Sequence, residues 1–198
     1  MRSLLPVLLL GLLAACSTSR LPLVYVPPST GVPAHGTPAV ASVSAIDKRG
    51  ETAPDANWIG AIRGGFGNPL KRLETDRPLT EVVADAVRDA LRARGLLGAA
   101  DAPYDLQVTI EQLEADQVVR REAQVRLRLA WLRRPGGLPA FANHGSADIV
   151  SGSVITVETG VFGSVEGLRA VIAQAMSQAI DQALDDPALT AFLSASSR

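Results

Sequence analysis

The chain has 198 residues, of which 47% are hydrophobic. That is enough for one packed domain of ordinary size and excludes wholesale disorder. With 19 basic against 20 acidic residues the net charge is −1, which excludes nucleic acid as the main partner. A single cysteine excludes an intrachain disulfide.

The chain opens on Arg2 and then an apolar run from Leu4 to Leu13, interrupted only by Pro6 and Gly11. A run of about ten residues is too short to span a bilayer, which needs about 20, and fits the hydrophobic stretch of an export signal over residues 1–15. Leu13-Ala14-Ala15-Cys16 follows. These four residues resemble the lipobox of bacterial lipoproteins, in which the cysteine becomes the first mature residue and carries a diacylglycerol thioether. One acyl chain binds a membrane only marginally, whereas two or three hold it, so Cys16 is the expected lipidation site and the membrane the expected partner. Ser17 follows Cys16. In well-studied Gram-negative envelopes Asp at that place favours retention in the inner membrane, so Ser17 points to the periplasmic face of the outer membrane.

Residues 16–38, with Pro22, Pro27, Pro28, Pro33 and Pro38, read as the lipidated cysteine and an extended tether, parts of which could pack through Leu21, Leu23, Val24, Tyr25 and Val26. The folded domain is expected over 39–198. Ala39 to Ile46 reads as a strand. Residues 47–77 read as a long connection with a short strand near Trp58 to Ile62. Leu79, Val82, Val83, Ala86, Val87, Ala90 and Leu91 carry helical spacing, with Asp76 and Pro78 at the start and Gly95 at the stop. Glu81, Asp85 and Asp89 with Arg88, Arg92 and Arg94 occupy its other side, acids early and arginines late, as the helix dipole favours.

A hairpin follows. Leu106, Val108 and Ile110 alternate with polar residues, as do Val125, Leu127, Leu129 and Trp131. A turn near Asp116-Gln117 would set Leu106 beside Leu127 and Val108 beside Val125, both apolar sets on one face. Pro135-Gly136-Gly137 reads as a turn and 138–150 as another strand. Ser164 reads as an N-cap of a second helix with Leu168, Val171, Ile172, Ala175, Met176, Ala179, Ile180, Ala183 and Leu184 on one stripe. Asp186-Pro187 starts a short helix carrying Leu189, Phe192 and Leu193. The order predicts an α+β fold: a single two-layer domain with one mostly antiparallel sheet, covered on one face by two helices (β-α-β-β-β-α), plus a short C-terminal helix.

The chemistry-bearing residues do not converge. His35 lies in the proline-rich stretch and His144 in a predicted strand, and no His, Cys or carboxylate cluster has metal-ligand spacing, so neither catalytic residue, metal nor cofactor is expected. Gly163-Ser164-Val165-Glu166-Gly167 places its serine second, not third as a nucleophile motif requires. Gly64-Gly65-Phe66-Gly67 is followed by Asn68-Pro69, not by the helix that a phosphate loop needs. It reads as a surface loop, with Phe66 a candidate partner contact. Arg120, Arg126, Arg128 and Arg134 share a strand face; Arg126 and Arg128 are candidates for an anionic ligand, against a solvated face neutralised by Asp105, Glu111 and Glu114.

Taken in order, several features resemble the YajG-type lipoproteins of Gram-negative envelopes. These are Cys16, a strand leading into Asp47-Lys48-Arg49, Ile59-Gly60, a helix ending at Arg94-Gly95, the strand Asp105-Leu106-Gln107-Val108, and a long helix before Asp185-Asp186 and Phe192-Leu193. The stretches 60–68 and 135–137 depart from the pattern as local insertions. The resemblance implies a place, the cell envelope, and carries over no catalytic residue. It implies a non-enzymatic binding or structural module with an envelope protein partner. A related class is the auxiliary lipoproteins of envelope lipid or lipopolysaccharide transport, which would bind a lipid between sheet and helices or a transporter partner.

Overall fold

The computed structural model describes residues 17–33, 37–50, 53–151 and 164–196. Residues 1–15, read above as an export signal, and Cys16, His35 and Gly163 lie outside the described residues.

Ten elements run in chain order: β1 (Ser17–Leu21), β2 (Val40–Asp47), β3 (Trp58–Arg63), β4 (Pro69–Thr75), α1 (Leu79–Ala93), β5 (Tyr104–Gln117), β6 (Arg121–Arg133), β7 (Leu138–Ser151), α2 (Val165–Leu184) and α3 (Pro187–Ser196). The strands form a seven-stranded sheet in the order β1-β4-β3-β5-β6-β7, with β2 also pairing β5. The long β5-β6-β7 meander is antiparallel, as is β3-β4; β1-β4, β2-β5 and β3-β5 are parallel. Helices α1 and α2 pack on one face, and α3 closes one end against β7. This is the expected α+β two-layer fold, with more strands than the sequence pattern revealed.

The core lies between the sheet and the helices. Leu106, Val108, Ile110, Leu127, Leu129 and Trp131 meet Leu79, Val83, Val87, Ile172, Met176 and Ile180, each at most 1% exposed. Burying such a side chain contributes about 1.5–3 kcal/mol. The helix pattern was legible because every third or fourth residue of α1 and α2 points into this layer. Ser164 caps α2 as expected, its Oγ accepting the Gly167 N–H at 3.1 Å. Asp186 caps α3 by accepting the Ala188 N–H at 2.8 Å.

Four expectations are corrected. First, the stretch after Cys16 is not a free tether. Ser17–Leu21 adds to the sheet beside β4; Leu21, Leu23 and Tyr25 pack into the main core as their apolar character suggested, whereas Val24 and Val26 are exposed. The folded unit therefore includes Ser17–Leu21, ahead of residue 39. Its strand was hidden because only Leu21 of the five residues is buried, so no alternation could be read. Second, residues 47–77 hold the β3-β4 hairpin instead of a long loop. β4 was missed for the same reason, since only Leu73 and Thr75 of its seven residues are buried.

Third, the β5-β6 register differs by four residues. Leu106 faces Trp131 and Val108 faces Leu129, and the turn falls at 118–120. A shift of four keeps every apolar residue on the same face, so alternation could not discriminate the two registers. Beyond Ile110 a bulge at Glu111 resets the parity, and Leu113, Ala115 and Gln117 become the buried set. Fourth, Arg120 lies in the turn and Arg134 beyond β6, so they do not belong to the strand face carrying Arg126 and Arg128.

Two glycines are fixed by close approach. A Cβ on Gly145 would fall 1.8 Å from the Ala179 carbonyl oxygen, so β7 meets α2 there backbone to backbone. Gly60, at φ +148°, would meet the Ala115 carbonyl oxygen at 1.8 Å.

Candidate functional site

The strongest polar constellation is built on Arg94, at the C-terminal cap of α1, whose side chain is fully buried. Its five N–H donors find five acceptors. Nε donates to Asp185 at 2.8 Å, and Nη2 donates to Asp181 at 2.8 Å and Asp185 at 2.9 Å. Nη1 donates to the Tyr25 hydroxyl at 3.1 Å and the Ala90 carbonyl at 3.2 Å. Tyr25 in turn donates to Asp181 at 2.6 Å. Burial works against the Arg94 charge, but its hydrogen bonds to Asp185, Tyr25 and Asp181 outweigh it and hold the group protonated even more firmly than usual. Burial, followed by the bond to Asp181, pushes the Tyr25 hydroxyl up to about 12. The cluster joins three distant parts of the chain: the N-terminal strap, the end of α1 and the end of α2. With every Arg94 donor taken internally, it is a clasp.

A second clasp lies where β2 and β3 both leave β5. β2 pairs β5 as far as Ile110, and β3 pairs it from Ala115. Backbone groups between those points need other partners. Lys48 N–H donates to the Ile110 carbonyl at 2.9 Å, and Arg49 Nη1 donates to the carbonyls of Leu113 at 3.2 Å and Trp58 at 2.6 Å. Asp47 holds the guanidinium from its other side, at 2.8 Å. Burial would raise the Asp47 carboxyl, but the Arg49 bonds outweigh it and keep it below the usual carboxylate range. Asp47-Lys48-Arg49, Arg94-Gly95 and Asp185-Asp186 were singled out in the sequence as family-like motifs. The structure gives them fastening roles, and placing Arg94 on the exposed side of α1 is corrected.

Arg126 and Arg128 lie on the sheet face opposite the helices. Arg126 pairs with Asp148 at 3.4 Å and with Gln112. Arg128 stands between Thr109 and His144 in register, and His144 lies 3.9 Å from Glu111. Asp105 pairs with Arg134, one of the four arginines it was expected to neutralise, at 3.3 Å, whereas Glu111 lies beside His144. Phe66 is remote from Arg126 and Arg128, at the tip of the β3-β4 hairpin and fully exposed. The turn beneath it is ordered by Gly64 N–H to the Asn68 carbonyl and Gly67 N–H to the Gly64 carbonyl, both 2.8 Å. Among the described residues no group of three or more His, Cys, Asp or Glu could hold a metal, and no helix is long and apolar enough to cross a membrane.

One concave surface was not foreseen. The strap residues Val26, Pro27, Pro28 and Ser29 run beside α2 and leave an open groove of about 630 Å³, floored by Ala170, Ala173, Gln174 and Ser177 and bounded by Arg169 and Asp181. Its sequence signal is slight, since Ala170, Gln174 and Gln178 are simply the polar side of α2.

The fold defines a class of two-layer α+β domains with the helices on one face of the sheet. No family model matches the chain, and no curated protein matches it. Among solved structures, a Xanthomonas campestris protein of the DUF330 family is similar over 91% of this chain and 99% of its own, with TM-score 0.62 and 18% identity. A lipoprotein candidate from Caulobacter crescentus CB15 covers 59% of this chain and 82% of its own, at TM-score 0.38 and 14% identity. The lipoprotein GNA1162 from Neisseria meningitidis covers 70% and 94%, at TM-score 0.30 and 13% identity. The first likeness establishes a shared fold; the resemblance to YajG-type lipoproteins rests on the sequence motifs alone.

Proposed function

We propose that the chain is a lipoprotein of the bacterial envelope, anchored through Cys16 to the periplasmic face of the outer membrane, whose folded part is a non-catalytic binding module for an envelope protein. The observation that carries this reading is the Leu13-Ala14-Ala15-Cys16 motif, with the chain's single cysteine at the position a lipid anchor requires. The buried charges support it: Arg94 and Arg49 fasten elements together, as in a scaffold that presents a surface. Metabolic labelling with an alkyne fatty acid tests the anchor. Wild type is expected to take the label and fractionate with the outer membrane, and Cys16→Ala to lose the label and appear in the soluble fraction. Equal labelling of both would overturn the reading.

The groove beside α2 favours a second reading, an auxiliary lipoprotein of lipid or lipopolysaccharide transport. Its volume of about 630 Å³ lies in the range of small-ligand sites. The sheet-helix interface itself is filled by Leu127, Leu129, Ile172 and Met176, none of them exposed, so an acyl chain or transporter segment would dock outside α2. Native mass spectrometry of the purified chain is expected to reveal a co-purified lipid under this reading, and a clean apo mass would count against it.

A further inference from the structure

We infer that one end of the sheet lies against the bilayer that holds the anchor, with the β3-β4 and β5-β6 turns dipping into the headgroup region. This rests on the lipid at Cys16 proposed above. The register supplies the geometry. Ser17 pairs Lys71, Lys71 pairs Ile62, Ile62 pairs Gln117, Gln117 pairs Arg121, and Arg121 pairs Ser151. These residues form one row across the sheet. Cys16 precedes Ser17 directly, so an acyl-bearing residue is joined to the start of β1 with no intervening tether. Strands are spaced about 4.8 Å apart, so the four steps from β1 to β6 place both hairpin turns within roughly 20 Å of the anchor.

What those turns expose fits a lipid surface. Phe66 is fully exposed at the tip of the β3-β4 hairpin, and Leu70 is 54% exposed beside it. Val118 and Val119 are 42% and 45% exposed in the β5-β6 turn. Lys71 and Arg120 stand among them and take part in no ion pair among the described residues. Apolar loop tips flanked by free cations suit the boundary between acyl chains and anionic headgroups. An anchor through lipid alone would leave the domain free to swing on its linker; here β1 is hydrogen-bonded into the sheet, so the anchor also sets orientation.

The lipidated full-length chain offers a direct test, because an acylated Cys16 leaves no other thiol. Phe66→Cys, Val119→Cys and Leu138→Cys are each labelled with the environment-sensitive dye NBD. The proteins are reconstituted in vesicles of phosphatidylethanolamine and phosphatidylglycerol containing doxyl-labelled lipid. Leu138 is exposed at the opposite end of the sheet, about 40 Å away along β6 at about 3.4 Å per residue. Emission at 66 and 119 is expected to shift to the blue, rise severalfold and be quenched by the doxyl lipid, while 138 stays water-like. Water-like emission at all three positions, in protein whose mass includes the acyl groups, would overturn the inference. So would a blue shift at 66 and 119 that grows with protein concentration in the absence of vesicles, which would assign these turns to a second copy. If the mass shows no acyl group, the anchor reading fails on its own. The same variants carrying Cys16→Ala, labelled and mixed with preformed vesicles, then decide the surface: a response at 66 and 119 supports it, and none overturns it.

Discussion

At the end of the sheet where β5 begins, the aromatic side chains pack together and charges are tied, with Leu138 left exposed at the edge. Tyr104 meets Trp131 edge-on at 6.2 Å, and Phe192 of α3 lies 5.3 Å from Tyr104 and stacks on Phe141 at 5.1 Å. The Arg94 clasp closes the same end, where α1 and α2 finish. At the opposite end Phe66, Leu70, Val118 and Val119 are exposed. The contrast separates residues that serve stability from residues free to serve contact: an exposed aromatic at a hairpin tip adds little to folding, whereas the same ring under α3 contributes by burial.

Substitutions should break that contrast unequally. The largest effect is expected at Arg94. Arg94→Met leaves Asp181 and Asp185 facing each other without their cation, and urea unfolding should report a loss of about 3–5 kcal/mol. Arg94→Lys keeps the charge but not the planar fork, and should fall between the two. Gly145→Ala comes next. Its new methyl would meet the Ala179 carbonyl, and forcing β7 and α2 apart should cost about 2–3 kcal/mol, read as a lower thermal midpoint.

Tyr25→Phe should be milder, about 1–2 kcal/mol for the loss of the hydroxyl's bonds to both Asp181 and Arg94, and it sharpens the comparison through pH. The Tyr25 hydroxyl is raised from 10.0 to about 12 in the folded chain. Between those values the unfolded chain has lost this proton while the folded chain retains it. Stability therefore falls as pH rises through this window. Wild type should lose stability more steeply than Tyr25→Phe between pH 10 and 12, measured as denaturation midpoint against pH. At the exposed end, Phe66→Ser should move stability by no more than about 0.5 kcal/mol, while weakening the vesicle contact inferred above. A large loss of stability in that variant would show the hairpin tip to be part of the core after all.

The elements that were legible are those whose buried residues recur with a fixed period. α1, α2 and the β5-β6-β7 meander have one face in the core, so alternation or helical spacing is written into their residues. β1 and β4 escaped because each offers only one or two side chains to the interior and is held mainly by backbone hydrogen bonds to a neighbour. Those bonds have no residue preference to read. The two clasps were half visible. Arg49, Arg94 and Asp185 stood out as motif residues, but a guanidinium gives no sign along the chain of which carboxylate, 91 residues away, it will meet.

By itself the sequence determined the layer architecture, the caps of α2 and α3 at Ser164 and Asp186, and the place of the only cysteine, because each is a local matter of periodicity, side-chain reach or residue identity. The tertiary structure alone decided the β5-β6 register, the joining of Ser17–Leu21 to β4, and the gathering of Tyr25, Arg94, Asp181 and Asp185 into one buried cluster. Those outcomes depend on which surfaces meet. An even shift of register leaves the pattern of buried residues unchanged, and a charge can be buried only where distant partners arrive together to satisfy it.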